Sequence, residues 1–197
     1  MTRPMCPSRR RGVCMKPWGS SVASLSRFSV HGRDNTAMLD ALACSDGRYR
    51  GVAMLDDGAS DADLESMHAA GVRGVRFNFV RFLGGPPDLS VFGRVVDRVN
   101  EFGWHVDIHA SGEDMTDHKS LFQSIKAPLL MEYWSHFEVA QGLESESFQL
   151  LLQMVKENGW WFKIGNGDRY SVAGVPYQDP VPFARAAIIE AAPDRTI

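Results

Sequence analysis

Ser29, His31, Arg76, Asn78, Arg81, His109, Glu132, Tyr133, His136, Asp168 and Arg169 each stand at the end of a strand-like run or just beyond one. These residue types bind anions, donate hydrogen bonds or hold protons. The arginines set the expectation, because a guanidinium stays charged at all relevant pH and grips a carboxylate through two parallel hydrogen bonds. A small carboxylate-bearing substrate is the chemistry to expect. Arg76 falls on the inward side of its run and has the stronger claim; Arg81 reads as a solvated loop residue.

His105, Asp107 and His109 alternate along one strand and share a face, which raises the question of a metal. His105 lies at the strand's start, away from the end where the other candidates gather. Two hydrogen-bonded interior histidines, with only His109 reaching substrate, is the simpler reading, so no metal and no cofactor are expected. The loop from Gly165 to Arg169 matches no phosphate-loop spacing and reads as a turn presenting Arg169, with Asp168 holding that arginine. His68 and His118 fall on helices as surface or packing residues. No nucleophile-elbow pattern is present.

The elements that must position these side chains repeat. Phe28–His31, Gly51–Leu55, Gly74–Asn78, His105–His109, Leu129–Tyr133 and Trp161–Gly165 each read as a strand followed by a helix. The helices are expected near residues 36–43, 60–70, 89–102, 114–125, 145–157 and 181–191, punctuated by Gly71, Gly103 and Gly159. Alternating strands and helices build a parallel sheet, and a long series favours a (β/α) barrel with its working residues where strands end. A full eight-unit barrel takes roughly 250 residues. The 197 residues here point to an α/β fold that is an incomplete (β/α)8 TIM barrel, about six units with the first and eighth missing.

Hydrophobic content of 44%, charged content of 23% and a net charge of -3 describe a soluble globular chain, with nothing to suggest a nucleic-acid partner. No apolar run approaches the ~20 residues that span a bilayer. Cys6, Cys14 and Cys44 lack paired or metal-ligand spacing, so reduced thiols and a cytoplasmic location are expected. Before Asp34 the chain carries seven basic residues and no acidic one. Residues 1–21 are therefore expected to be a disordered or non-native segment, and residues 22–197 the barrel domain.

Asp34-Asn35 with Met38–Leu42, Tyr49–Ala53, Gly71–Asn78, Gly103–Val106, Val139–Gly142 and the stretch from Tyr177 to Pro193 resemble, in series, the 2-pyrone-4,6-dicarboxylate lactonase group of the amidohydrolase superfamily. The resemblance runs from about Ser29 to the C-terminus. It implies a (β/α)8 barrel that hydrolyses a lactone or related carboxylated ring without needing a bound metal. It also implies that Ser29, Arg76, His109 and Arg169 contact the anionic substrate, with His109 standing where the best-known members have tyrosine. With Asn78 from the end of its strand, these form the candidate substrate-binding set.

The departures are specific. A His-x-His motif expected on the first strand and an aspartate expected at the end of the eighth, the residue that activates water, are not found. An expected Asp-His reads Glu132-Tyr133, and an arginine expected soon after reads His136. Tyrosine, with a pKa of about 10, is no substitute for a neutral imidazole. No residue is therefore assigned as catalytic. The reading is a lactonase-type hydrolase whose activity in this chain is in doubt. The alternatives are a non-catalytic dicarboxylate-binding protein and a metal-dependent decarboxylase of the same superfamily. Two open barrel edges would favour self-association.

Overall fold

Each strand of this chain is too short to stand alone, and each amphipathic helix needs a sheet to cover. The computed structural model, which describes residues 23–26, 32–132 and 138–197, joins them into one curled parallel sheet. Its strands are β1 (Ala23–Ser26), β2 (Tyr49–Ala53), β3 (Val72–Asn78), β4 (His105–His109), β5 (Leu129–Met131) and β6 (Trp161–Phe162), arranged in sequence order with every neighbouring pair parallel. Between them run α1 (Thr36–Ala43), α2 (Asp61–Ala70), α3 (Leu89–Glu101), α4 (Gly112–Asp117), α5 (Lys119–Ser124) and α6 (Glu146–Asn158); α7 (Gly167–Tyr170) and α8 (Val181–Ala186) follow β6. The incomplete α/β barrel expected from the βα rhythm is the fold observed.

The helix ends show why the elements stop where they do. Ser60 and Asp63 cap α2 reciprocally, and Gly71 closes it at φ 108°, where a side chain would be strained. Asp88 accepts the amide protons of Ser90 and Val91 to start α3. The helical face of the sheet is apolar: Phe77 on β3 meets Phe92 of α3 edge-on, ring centroids 4.6 Å apart, and Val75, Val106 and Ile108 are buried in the same core. The alternate residues of β3 and β4 point the other way, toward the inside of the curl.

Several boundaries differ from expectation. The expected first strand, Phe28–His31, lies outside the described residues and is not tested, while Ala23–Ser26 ahead of it forms a strand that was not expected. The single helix expected over 114–125 is two, because His118 leaves helical geometry at φ -114° and ψ 18° between α4 and α5. Residues 167–170 form a helical turn where a loop was expected. The helix expected over 181–191 is regular only to Ala186 and continues with wider turns over Ala187–Ala191.

Two further expectations are corrected. The outer edge of β6 is not open: the Phe162 amide donates to Arg195, the Ile197 amide to Phe162 and the Ile164 amide to Ile197, with Thr196 beside Phe162 in parallel. Backbone groups at a sheet edge bond to whatever extended segment lies next to them, and here it is the last three residues. Cys44 is disulfide-bonded, whereas the spacing suggested reduced thiols; Cys6 and Cys14 lie outside the described residues. Distance along the chain does not limit approach in space, and the disulfide removes the argument from thiols to a cytosolic compartment. Among the described residues no helix is long and apolar enough to cross a membrane.

Candidate active site

Inside the curl, the inward positions of four neighbouring strands bring charges together. β3 and β4 are in register, Arg76 opposite Asp107 and Asn78 opposite His109. Glu132 directly follows β5, its amide bonded to the Ile108 carbonyl, and Lys163 directly follows β6, its amide bonded to the Met131 carbonyl. Arg76, Asp107, His109 and Glu132 are all buried, Arg76 with 4% of its surface exposed and Glu132 with none.

The contacts make a chain across the strands. Lys163 Nζ donates to Glu132 Oε1 at 3.0 Å. Glu132 Oε2 lies 2.8 Å from Arg76 Nη1 as an ion pair, and Arg76 Nη2 lies 3.0 Å from His109 Nδ1. Burial pushes the Glu132 carboxyl above its usual range, helped by the neighbouring Asp107 charge and opposed by Arg76 and Lys163. Asp107 is itself deeply buried. Its Oδ1 is 3.1 Å from His105 Nε2, too oblique for a hydrogen bond, and its Oδ2 has no partner among the described residues. Gly74 makes this arrangement fit, since a Cβ there would come within 2.5 Å of the His105 ring.

The candidate set is thus divided. Arg76 and His109 come together. Asn78 stands beside them in register, but its amide group donates to the Val80 and Leu83 carbonyls at 3.3 and 3.1 Å and so ties down the loop after β3; its Oδ1 has no partner among the described residues. Arg169 is exposed on α7, and among the described residues no ion pair joins it to Asp168. Ser29, His31, Tyr133 and His136 lie outside the described residues. Arg81 is exposed, 3.8 Å from Asp117, in keeping with a solvated loop residue. His68 accepts a hydrogen bond from Trp104 Nε1 at 2.9 Å, and His118 packs against Phe79, both packing roles.

Lys163 was missed. The signal was present in the alternation of the last strand, where Trp161 and Lys163 share a face and Phe162, buried in the core, takes the other. Among the described residues no group of three or more His, Cys, Asp or Glu side chains is placed to hold a metal ion. A cavity of about 640 Å³ lies beside the rim between Arg81, Ser111 and Ser147, and none of the charged chain lines it.

A largely buried cluster of two cations and two carboxylates, with Lys163 partly exposed and a histidine at its edge, is an electrostatic cradle at the carboxyl ends of parallel strands, where ligands of such folds bind. The chain belongs to the amidohydrolase family, whose model matches residues 4–197. Among curated proteins it is similar to the 2-pyrone-4,6-dicarboxylate hydrolase of Comamonas testosteroni, 36% identical over 86% of this chain and 58% of that protein. It is also similar to the 4-sulfomuconolactone hydrolase of Rhizobium radiobacter, 32% identical over 95% of this chain and 59% of that one. A solved structure of a Pseudomonas putida protein, assigned as a 2-pyrone-4,6-dicarboxylic acid hydrolase, superposes with a TM-score of 0.76 at 29% identity, covering 90% of this chain and 65% of that one. The chain spans a little under three fifths of the length of these curated relatives.

Proposed function

We propose that this chain carries the anion-binding part of a lactone-hydrolysing site and acts on a small carboxylated lactone or related cyclic acid. The observation that carries the reading is the buried Arg76–His109 contact at the strand ends, in a family whose similar members are named for hydrolysis of a pyrone dicarboxylate and a sulfonated lactone. Both of those substrates combine a ring ester with strong anions.

In the reaction so proposed, a water oxygen bonds to the lactone carbonyl carbon and the ring C–O bond breaks. The ring oxygen leaves with a proton, giving an open-chain acid. Arg76 supplies fixed positive charge near the oxyanion or a substrate carboxylate, and its burial strengthens that contribution. His109 donates to the anion from the same edge, and Arg169 and Ser29 complete the substrate contacts. No bound metal is part of this reading. The base that activates water is not assigned to any residue of this chain.

The test is loss of pyrone absorbance when purified protein meets 2-pyrone-4,6-dicarboxylate, with zinc and with chelator, alongside calorimetric binding. Turnover that survives chelation supports the metal-independent hydrolase. Turnover only with zinc would move the protein to the metal-dependent branch of the superfamily. Binding without turnover would leave a dicarboxylate-binding protein, and neither binding nor turnover would sink the reading.

A further inference from the structure

We infer that Glu132 and Lys163 are positioning residues which, acting through Arg76, hold the His109 ring with its hydrogen on Nε2. The nitrogens of the Arg76 guanidinium only donate. With Arg76 Nη2 3.0 Å from His109 Nδ1, that nitrogen must accept. A ring that accepts at Nδ1 carries its hydrogen on Nε2. The other tautomer would point N–H at N–H, and an imidazolium would add a second positive charge at the same distance.

A contact of this kind specifies a tautomer only if the guanidinium plane is itself fixed. Glu132 restrains it by charge, because Oε2 lies 2.8 Å from Nη1 as an ion pair without hydrogen-bond alignment while Nη2 faces the histidine, so both nitrogens of one rigid fork are engaged. Glu132 has no freedom of its own: it is fully buried, its amide is bonded to the Ile108 carbonyl, and its second oxygen accepts from Lys163. His109 is anchored on its backbone side, where its carbonyl accepts from the Phe79 amide at 2.8 Å. Lys163, Glu132, Arg76 and His109 therefore act as one hydrogen-bonded and ionic chain across β6, β5, β3 and β4.

The consequence for ligand is that His109 presents a donor from Nε2. That consequence rests on the anionic-substrate reading above, whereas the tautomer does not.

The experiment is a long-range proton–nitrogen correlation spectrum of the full chain labelled with 15N-histidine, with the His109 signals assigned by their loss in His109→Gln. The wild-type ring is expected to show the Nε2–H pattern. Glu132→Gln and Lys163→Met are expected to shift it toward an average of both tautomers, and Lys163→Arg to restore it. Near-UV circular dichroism confirms folding, and Lys163, the partly exposed member, provides the variant least apt to unfold. An Nδ1–H or evenly mixed wild-type ring overturns the inference before any variant is made. So does an unchanged Nε2–H pattern in both variants. In parallel, binding of 2-pyrone-4,6-dicarboxylate is expected to weaken about tenfold in Lys163→Met, the scale of one charge-assisted hydrogen bond, and to recover in Lys163→Arg. An Nε2–H ring in a protein that does not bind the pyrone would remove the proposed function and leave this inference standing.

Discussion

Two arginines stand near the carboxyl ends of this sheet, and their surroundings differ in every respect that matters. Arg76 projects from the longest strand, is 4% exposed, and is held by Glu132 on one nitrogen and His109 on another. Arg169 sits on a single helical turn beyond the shortest strand, exposed, with a backbone bond to Asn166 as its local tether. The first is bound into the core, so its charge is fixed whether or not a ligand is present. The second has its orientation open to a ligand. In the proposed site, Arg76 is preorganisation and Arg169 is capture.

The sharpest way to break the comparison is to remove each charge in turn. Arg76→Met leaves Glu132 and Asp107 buried with Lys163 and His105 for company. A loss of about 3–5 kcal/mol is expected, the scale for stripping one partner from a buried pair. Urea unfolding measures it. Converting Glu132 to leucine in the same background should recover a large part of the loss, because the cost is that of an uncompensated buried charge. A loss below about 1 kcal/mol in the single variant would mean that Arg76 is not tied to the core in the way described.

A second effect, smaller, follows from the direction of the Glu132 shift. Its carboxyl is raised above the ordinary value of 4.5, by burial first and by Asp107 next. The folded protein therefore binds this proton more tightly than the unfolded chain does. By linkage, the stability associated with the proton is fully present below the unfolded value and is lost as pH rises through the folded one. Unfolding free energies of wild type and Glu132→Gln, measured in parallel from acid to neutral pH, should diverge: relative to the glutamine variant, wild type loses stability as pH rises. A difference that is flat, or that runs the other way, would show that Arg76 and Lys163 outweigh burial.

The same contrast explains what could be read from the chain in advance. β4 was legible to the residue, because His105–His109 alternates strictly and each polar position faces inward. Arg76 was legible for the same reason. The network was not, since which inward carboxylate meets which cation depends on how far neighbouring strands are offset, and local sequence does not state that offset. Glu132 stood out only as the end of a strand, and Lys163 looked like an ordinary basic residue after three aromatics. Asn78 was read as a ligand contact from its place at a strand end, but the carbonyls that engage its amide belong to the bend after β3. The break at His118 was hidden too, since the pattern continues through it and only the packing of its ring against Phe79 and Phe122 marks the corner.

The smallest expected effect on stability is also the most informative about function. Arg169→Ala removes an exposed side chain that makes no ion pair among the described residues, so stability should change by no more than about 0.5 kcal/mol. If Arg169 captures a substrate carboxylate, binding of the pyrone dicarboxylate should nonetheless weaken by tenfold or more, about 1.5–3 kcal/mol for a hydrogen bond to a charged group. Calorimetry on the folded variant separates the two quantities. Unchanged affinity would confine the anion site to the interior around Arg76 and His109. Arg169 would then be a solvated loop residue like Arg81, and the contrast between the two arginines would be one between site and surface.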